Sequence, residues 1–192
     1  MRRLACTILP GLAALILFGT CVVASPVRAD PSAELWDAVR TGRAFAMMRH
    51  ALAPGTGDPR SFTLGDCATQ RNLSDAGRAQ ARRIGERFRA NGITTANLYA
   101  SQWCRCRETA ELLAIGPVAD LPSLNSFFGQ PSRRTPQTQA LKSWLAQNRD
   151  VRPLVLVTHQ VNIRALTGQG TTSGEIVVAR VDATGAVAVL GA

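Results

Sequence analysis

The sequence predicts an α/β sandwich built on a partly parallel sheet. Short apolar runs alternate with amphipathic stretches along the chain, the pattern of strands and helices stacked in layers. One run, Leu154 to Val157, is wholly leucine and valine, as a strand buried on both faces of a parallel sheet requires. Both of the chain's histidines, His50 and His159, fall just beyond such runs.

Each element follows from local pattern. Ser32 to Arg40 reads as a short helix and Ala44 to Met48 as a strand. The loop from Pro54 to Arg71 is rich in Gly, Pro and Asp, and loops of that length usually carry function. Ser74 opens a helix whose apolar and small positions Ala76, Ala79, Ala81, Ile84 and Phe88 recur at roughly helical spacing until Asn91-Gly92 ends it. A strand over Asn97 to Ala100 runs into a helix from Trp103 to Ala114, and Gly116 to Gln130 is irregular with room for one short strand. Thr135 to Asn148 is helical, Leu154 to Val157 is the buried strand, and Val161 to Leu166 is a short helix. A hairpin, Glu175 to Val181 and Ala186 to Leu190 around Gly185, closes the chain.

With 192 residues and 46% hydrophobic content, the chain supports one domain with a real core rather than two. The N-terminal stretch reads as a secretory signal peptide: Met1-Arg2-Arg3 is positive, and Leu4 to Val27 carries no charge. A small-residue cleavage signal at Val27-Arg28-Ala29 gives a division into a signal peptide, 1–29, and a mature domain, 30–192. Losing three arginines from a formal charge of +9 leaves +6. An uncleaved membrane anchor is the alternative, although Pro10-Gly11 interrupts the run; a lipoprotein reading fits least, because Thr20 precedes Cys21. The expected location is periplasmic or secreted, with membrane contact only through an uncleaved N-terminus.

Cleavage would leave Cys67, Cys104 and Cys106. An odd number cannot all pair, so the readings are a disulfide from Cys67 to Cys104 or to Cys106, which export would permit, or three buried thiols. No metal site is expected, since Cys104-x-Cys106 lacks the usual thiolate spacing. The basic surplus, scattered through Arg71, Arg78, Arg82, Arg83, Arg87 and Arg89, reads as a solvated face. With aromatics at 5%, stacking platforms for nucleic acid are thin, so no nucleic-acid partner is expected; an anionic small substrate or envelope surface suits the charge.

The candidate chemistry lies at strand ends. In open α/β sheets, ligands bind beyond the carboxyl ends of the strands, and Arg49-His50 and His159 both sit there. The third strand ends in Ser101, with Arg105 and Arg107 in the first turns of the next helix. Cations oppose the dipole at a helix N-terminus, so a bound anion explains Arg105, whereas Arg107 is read as a surface partner of Glu108 or Glu111. Arg49, His50, Arg105 and His159 together suit a phosphate dianion facing an imidazole nucleophile, because guanidinium forks match phosphate oxygens.

Four segments carry a resemblance: Met48-Arg49-His50-Ala51; Leu73-Ser74-Asp75-Ala76-Gly77-Arg78-Ala79-Gln80-Ala81; Tyr99-Ala100-Ser101 followed by Arg105 and Thr109-Ala110; and Val157-Thr158-His159. In order and spacing they resemble the histidine phosphatase (phosphoglycerate mutase-like) superfamily over Phe45 to Val189. The resemblance implies a three-layer α/β/α sandwich with a mostly parallel central sheet. It also implies phosphatase chemistry through a phosphohistidine on His50, with Arg49, Arg105 and His159 clamping the phosphoryl group and no metal or cofactor. Small signal-peptide-bearing relatives associated with lipopolysaccharide core heptose phosphates make a phosphorylated small molecule or envelope glycan the implied substrate.

The general acid departs from the pattern. One branch of the superfamily has a glutamate in the region that here reads Leu124-Asn125-Ser126-Phe127-Phe128, and another an aspartate where this chain has Gln160. An amide cannot protonate a leaving alkoxide. Asp58 and Asp66 in the long loop, and Glu108 through its spacing from Arg105, are the candidate acids; a leaving group that needs no proton is the alternative. Asn72, Ser61 and Gln160 are weaker candidates for lining the pocket, and read better as loop-capping residues. A catalytically weak phosphate-binding envelope protein is the competing function.

Overall fold

The computed structural model describes residues 31–149 and 153–192; the signal-peptide reading of 1–29 lies outside them. Helix α1 (Pro31–Arg40) leads into strand β1 (Phe45–Arg49), and the long loop after it holds a 3₁₀ turn at Cys67–Thr69. Helix α2 (Asp75–Ala90), strand β2 (Asn97–Ala100) and helix α3 (Cys104–Leu113) follow. Within the stretch read as irregular lie strand β3 (Val118–Asp120) and 3₁₀ turns at Pro122–Leu124 and Pro131–Arg133. Then come helix α4 (Arg134–Gln147), strand β4 (Leu154–Thr158), helix α5 (Gln160–Thr167) and the hairpin of β5 (Ile176–Val181) and β6 (Val187–Gly191). Among the described residues no helix is long and apolar enough to cross a membrane.

The sheet order is β3-β2-β4-β1-β5-β6, with the first four strands parallel, β5 antiparallel to β1, and β6 antiparallel to β5. Strand alternation divides the core in two. Ala46 and Met48, Val155 and Val157, and Leu98 and Ala100 face α1, α2 and α3, packing with Val39, Phe88 and Leu113. Phe45, Met47, Leu154 and Leu156 face α4 and α5, packing with Leu141, Leu145 and Ile163. Because both faces of β1 and β4 are covered, those strands are apolar without interruption. The result is the expected three-layer α/β/α sandwich, and the parallel arrangement brings the carboxyl ends of β1, β2 and β4 to one edge.

Helix α2 approaches its neighbours closely. The Ser74 hydroxyl caps its N-terminus by accepting from the Gly77 N–H. A Cβ on Gly77 would stand 2.0 Å from the Leu52 carbonyl oxygen, and one on Gly85 2.1 Å from that of Leu113. Glycine therefore lets α2 lie against α3 and against the segment that follows His50. Gly85→Ala should force the helices apart and lower stability by about 1–3 kcal/mol, readable in equilibrium urea unfolding.

Candidate active site

The strand edge gathers the residues that the sequence singles out. His50 leaves β1 with its backbone N–H donating to the Thr158 carbonyl (2.9 Å), next to the end of β4. Its ring centroid lies 5.5 Å from that of His159. Both rings are buried. His50 Nδ1 lies 2.8 Å from the Ala51 carbonyl oxygen. A carbonyl can only accept, so Nδ1 carries the proton and Nε2 keeps its lone pair.

His159 has the opposite kind of neighbours. Arg105 Nη2, which can only donate, is 3.4 Å from its Nδ1, and the Ser101 hydroxyl is 2.9 Å from its Nε2. The Nε2–H tautomer satisfies both. Ser101 in turn donates to Asn125 Oδ1 (3.3 Å), and Asn125 also binds the Gln102 amide and side chain. Trp103 packs edge-on against His159, with centroids 5.5 Å apart.

Arg105 sits in the first turn of α3, buried, and its counter-ion is a carboxylate of the protein. Nη1 and Nη2 donate to Asp58 Oδ1 (2.8 Å) and Oδ2 (3.1 Å). Trp103 Nε1 donates to Oδ2 (3.0 Å) and the Arg71 N–H to Oδ1 (3.0 Å). The anion that the helix N-terminus called for is thus Asp58 in the first instance. Arg49 donates from Nη1 to the Thr171 carbonyl (3.0 Å). Arg49 Nε and Arg105 Nε are buried with no partner; an unpaired buried N–H costs about 1–3 kcal/mol, a cost that a phosphate oxygen would offset.

Burial first, then the arginine charges, set the protonation of this site. Burial together with Arg105, Arg49 and Arg71, against the Ala51 carbonyl, pushes His50 down to about 3. Burial foremost, then Arg105, His50, Arg71 and Arg49, hold His159 well below the ordinary histidine range. Burial would raise the Asp58 carboxyl, but its hydrogen bonds from Arg105, the Arg71 amide and Trp103 outweigh that and hold it below the ordinary value. Three guanidiniums, of Arg49, Arg71 and Arg105, against one carboxylate leave two uncompensated positive charges around two neutral imidazoles. That balance suits a phosphate dianion.

The histidine phosphatase superfamily (branch 1) profile matches residues 45–138, about half of the chain, including Arg49, His50, Asp58 and Arg105. The chain belongs to the histidine phosphatase superfamily. It is a phosphatase by that membership, and solved histidine phosphatases and their relatives share its fold. The protein histidine phosphatase SixA complexed with tungstate superposes with a TM-score of 0.55 at 16% identity, covering 76% of this chain and 93% of that one. Phosphoserine phosphatase from Entamoeba histolytica in complex with 3-phosphoglyceric acid gives 0.56 at 15% identity, with 76% and 94% covered. Bacillus stearothermophilus YhfR gives 0.56 at 18% identity, with 77% and 95% covered. At these identities the likeness is one of fold. No curated protein matches the chain.

Within this histidine phosphatase the three candidate acids part company. Asp58 is at the site, committed to Arg105. Asp66 is exposed and caps the Cys67–Thr69 turn by accepting from the Ala68 N–H. Glu108 pairs with Arg78, which also holds Asp75, rather than with Arg105. Arg107 pairs with Asp120 at the end of β3, not with Glu108 or Glu111. Asn72 caps the loop as expected, donating to the Cys67 and Gln70 carbonyls. Among the described residues no group of three or more His, Cys, Asp or Glu is placed to hold a metal ion.

Sequence reasoning missed three residues. Arg71, read with the solvated charge, turns inward instead: it donates to the Gly57 and Ala53 carbonyls and acts electrostatically on His50. Trp103 and Asn125 are the others, one holding Asp58 and the other holding Ser101. Position in the sequence does not say which way a long loop folds, so none of the three was marked by its spacing.

The disulfide joins Cys67 to Cys104, tying the loop that carries Asp58 and Arg71 to the first residue of α3. Cys106 stays free and buried against His159 (3.5 Å), where burial pushes its thiol up to about 12. Closing a loop across a sequence separation of 37 stabilises by about 3–4 kcal/mol on chain-entropy grounds. Reduction, or Cys67→Ser, should lower the melting temperature in calorimetry accordingly.

Buried neutral histidines also set a pH dependence. The unfolded chain protonates them near 6.5, whereas folded His50 resists down to about 3 and His159 resists likewise. Below pH 6.5 the unfolded state binds more protons, so stability falls as pH falls, by up to about 1.4 kcal/mol per unit for each histidine. Urea unfolding from pH 7.5 to 4.5 should show this decline, and His50→Gln should make it shallower.

Proposed function

We propose that this phosphatase is exported and works through a phosphohistidine on His50, without a metal, on a phosphorylated small molecule or on a phosphate carried by an envelope glycan. The observation that carries the mechanism is the tautomer of His50: its Nδ1 faces a backbone carbonyl, so the neutral ring directs the Nε2 lone pair outward. In the first step Nε2 attacks phosphorus, and the bond to the leaving group breaks with its electron pair on that group. The imidazolium formed keeps its Nδ1 proton on the Ala51 carbonyl. Water then attacks phosphorus, the P–N bond returns its pair to Nε2, and the phosphate leaves carrying the protons of the water.

Throughout, Arg49 and Arg105 present N–H groups to the equatorial oxygens, where phosphoryl transfer concentrates charge. His159, fixed by Arg105 and Ser101, presents its ring beside His50. Export is supported by the uncharged N-terminal stretch and by the Cys67–Cys104 disulfide, since lasting disulfides belong to oxidising compartments. The surplus of arginine suits an anionic envelope surface.

Quenching at alkaline pH during turnover of 4-nitrophenyl phosphate should trap a phosphoryl adduct on the peptide containing Arg49-His50, detected by mass spectrometry. His50→Ala should abolish both adduct and turnover, and Arg105→Ala should cost about a hundred- to a thousandfold in rate. Turnover with no adduct would remove His50 as the nucleophile. Phosphate or vanadate binding with neither adduct nor turnover would make the protein a phosphate-binding module.

A further inference from the structure

We infer that Asp58 is a positioning residue for Arg105 and not a proton donor, so that the enzyme transfers phosphoryl groups from leaving groups that depart without a proton: acyl phosphates, phosphoramidates and pyrophosphates. The inference rests on the phosphatase reading above and narrows its substrate.

The geometry of Asp58 leaves no place for a transferable proton. A carboxylate has about four lone-pair sites, and here four donors take them: Arg105 Nη1 and the Arg71 N–H on Oδ1, Arg105 Nη2 and Trp103 Nε1 on Oδ2. All four contacts are 2.8–3.1 Å, and both side chains of the ion pair are more than nine-tenths buried. Protonating either oxygen would set an O–H against a donor and break the bidentate pair.

No other carboxylate takes its place. Among the described residues Asp58 is the one carboxylate hydrogen-bonded to any of Arg49, His50, Arg105 and His159. Glu175, next to the Arg49 backbone at the edge of β5, is held through its Oε2 by the Thr172 N–H and hydroxyl. Asn125 lies in the segment that carries a glutamate in one branch of the superfamily, and its amide is already bonded on both sides. His159 has a donor on Nδ1 and spends its Nε2 proton on Ser101.

The first step therefore forms the Nε2–P bond and expels the leaving group with its electron pair and no proton from the protein. An acylate, the terminal phosphate of a pyrophosphate, or a phosphoramidate nitrogen that arrives protonated leaves readily in that way. A sugar or glycerol alkoxide does not. On an envelope glycan this selects a pyrophosphate-linked group over a simple monoester.

The test is a leaving-group series in kcat/KM, which reports the first phosphoryl transfer: 2,4-dinitrophenyl, 4-nitrophenyl and phenyl phosphate, then acetyl phosphate, phosphoramidate and pyrophosphate against glycerol phosphate. The full-length protein should show a steep fall from dinitrophenyl to phenyl phosphate. The three activated phosphates should exceed glycerol phosphate by at least about a hundredfold, the lower end of what general acid catalysis supplies.

Asp58→Asn should lower kcat/KM on the order of a hundredfold, the scale of a misplaced catalytic group, by a common factor along the aryl series and with the slope unchanged. Asp58→Glu should restore part of it, and Trp103→Phe should give a smaller loss of the same uniform kind. A shallow slope in the unmodified enzyme overturns the inference. So does a loss in Asp58→Asn that is large for phenyl phosphate and small for the dinitrophenyl ester. Absence of both turnover and adduct with the dinitrophenyl ester removes the phosphatase reading, and this inference with it.

Discussion

A guanidinium buried at the mouth of the sheet is the constraint around which this molecule is arranged. Arg105 lies buried beside His159 at the strand ends, and a charge at that depth is unstable unless paired and hydrogen-bonded. Asp58 supplies the charge. Keeping Asp58 there requires the long loop after β1 to fold back on α3, which the Trp103 indole, the Arg71 amide, the Gln70 side chain on the Cys104 N–H and the Cys67–Cys104 disulfide all enforce. The loop is long because it must return to the helix that follows the next strand.

The same charge cluster explains why both histidines are neutral. Desolvation and three nearby guanidiniums each disfavour imidazolium. Tautomers then follow from partners that can act in one sense only: a carbonyl oxygen opposite His50 Nδ1 and a guanidinium opposite His159 Nδ1. Neither histidine is held by a carboxylate. The cost is borne as lost stability at acid pH, and the excess positive charge is available to bind an anion.

Close packing transmits this order from the core. Thr109, in the middle of α3, donates to the Arg105 carbonyl and accepts from the Ala51 N–H, and Gln80 on α2 joins the Leu52 N–H to the Ser173 carbonyl. The segments after β1 and before β5 are thereby anchored to two helices, α2 lying close against Leu52 at Gly77 and close against α3 at Gly85. On the far side, the Thr158 hydroxyl and Asn162 hold the carbonyls of Leu124 and Asn125, so the segment crossing the strand ends is pinned as well.

Sequence by itself determined the sandwich, the elements that build it and the placement of Arg49, His50, Arg105 and His159 at strand ends, because those properties are local. Periodicity records which faces are buried, and the residue after a parallel strand must emerge at the ligand edge. The short strand that the sequence allows between Gly116 and Gln130 is not located by it, because three residues beside Pro117 carry little pattern; pairing with β2 fixes β3 at Val118–Asp120. Which cysteine Cys67 meets, that Asp58 pairs with Arg105, and that Arg71 faces inward rather than to solvent were decided by the tertiary structure alone. Each depends on how a long, glycine-rich loop closes over the sheet, and that closure is governed by contacts between residues distant in the chain, of which composition and spacing hold no record.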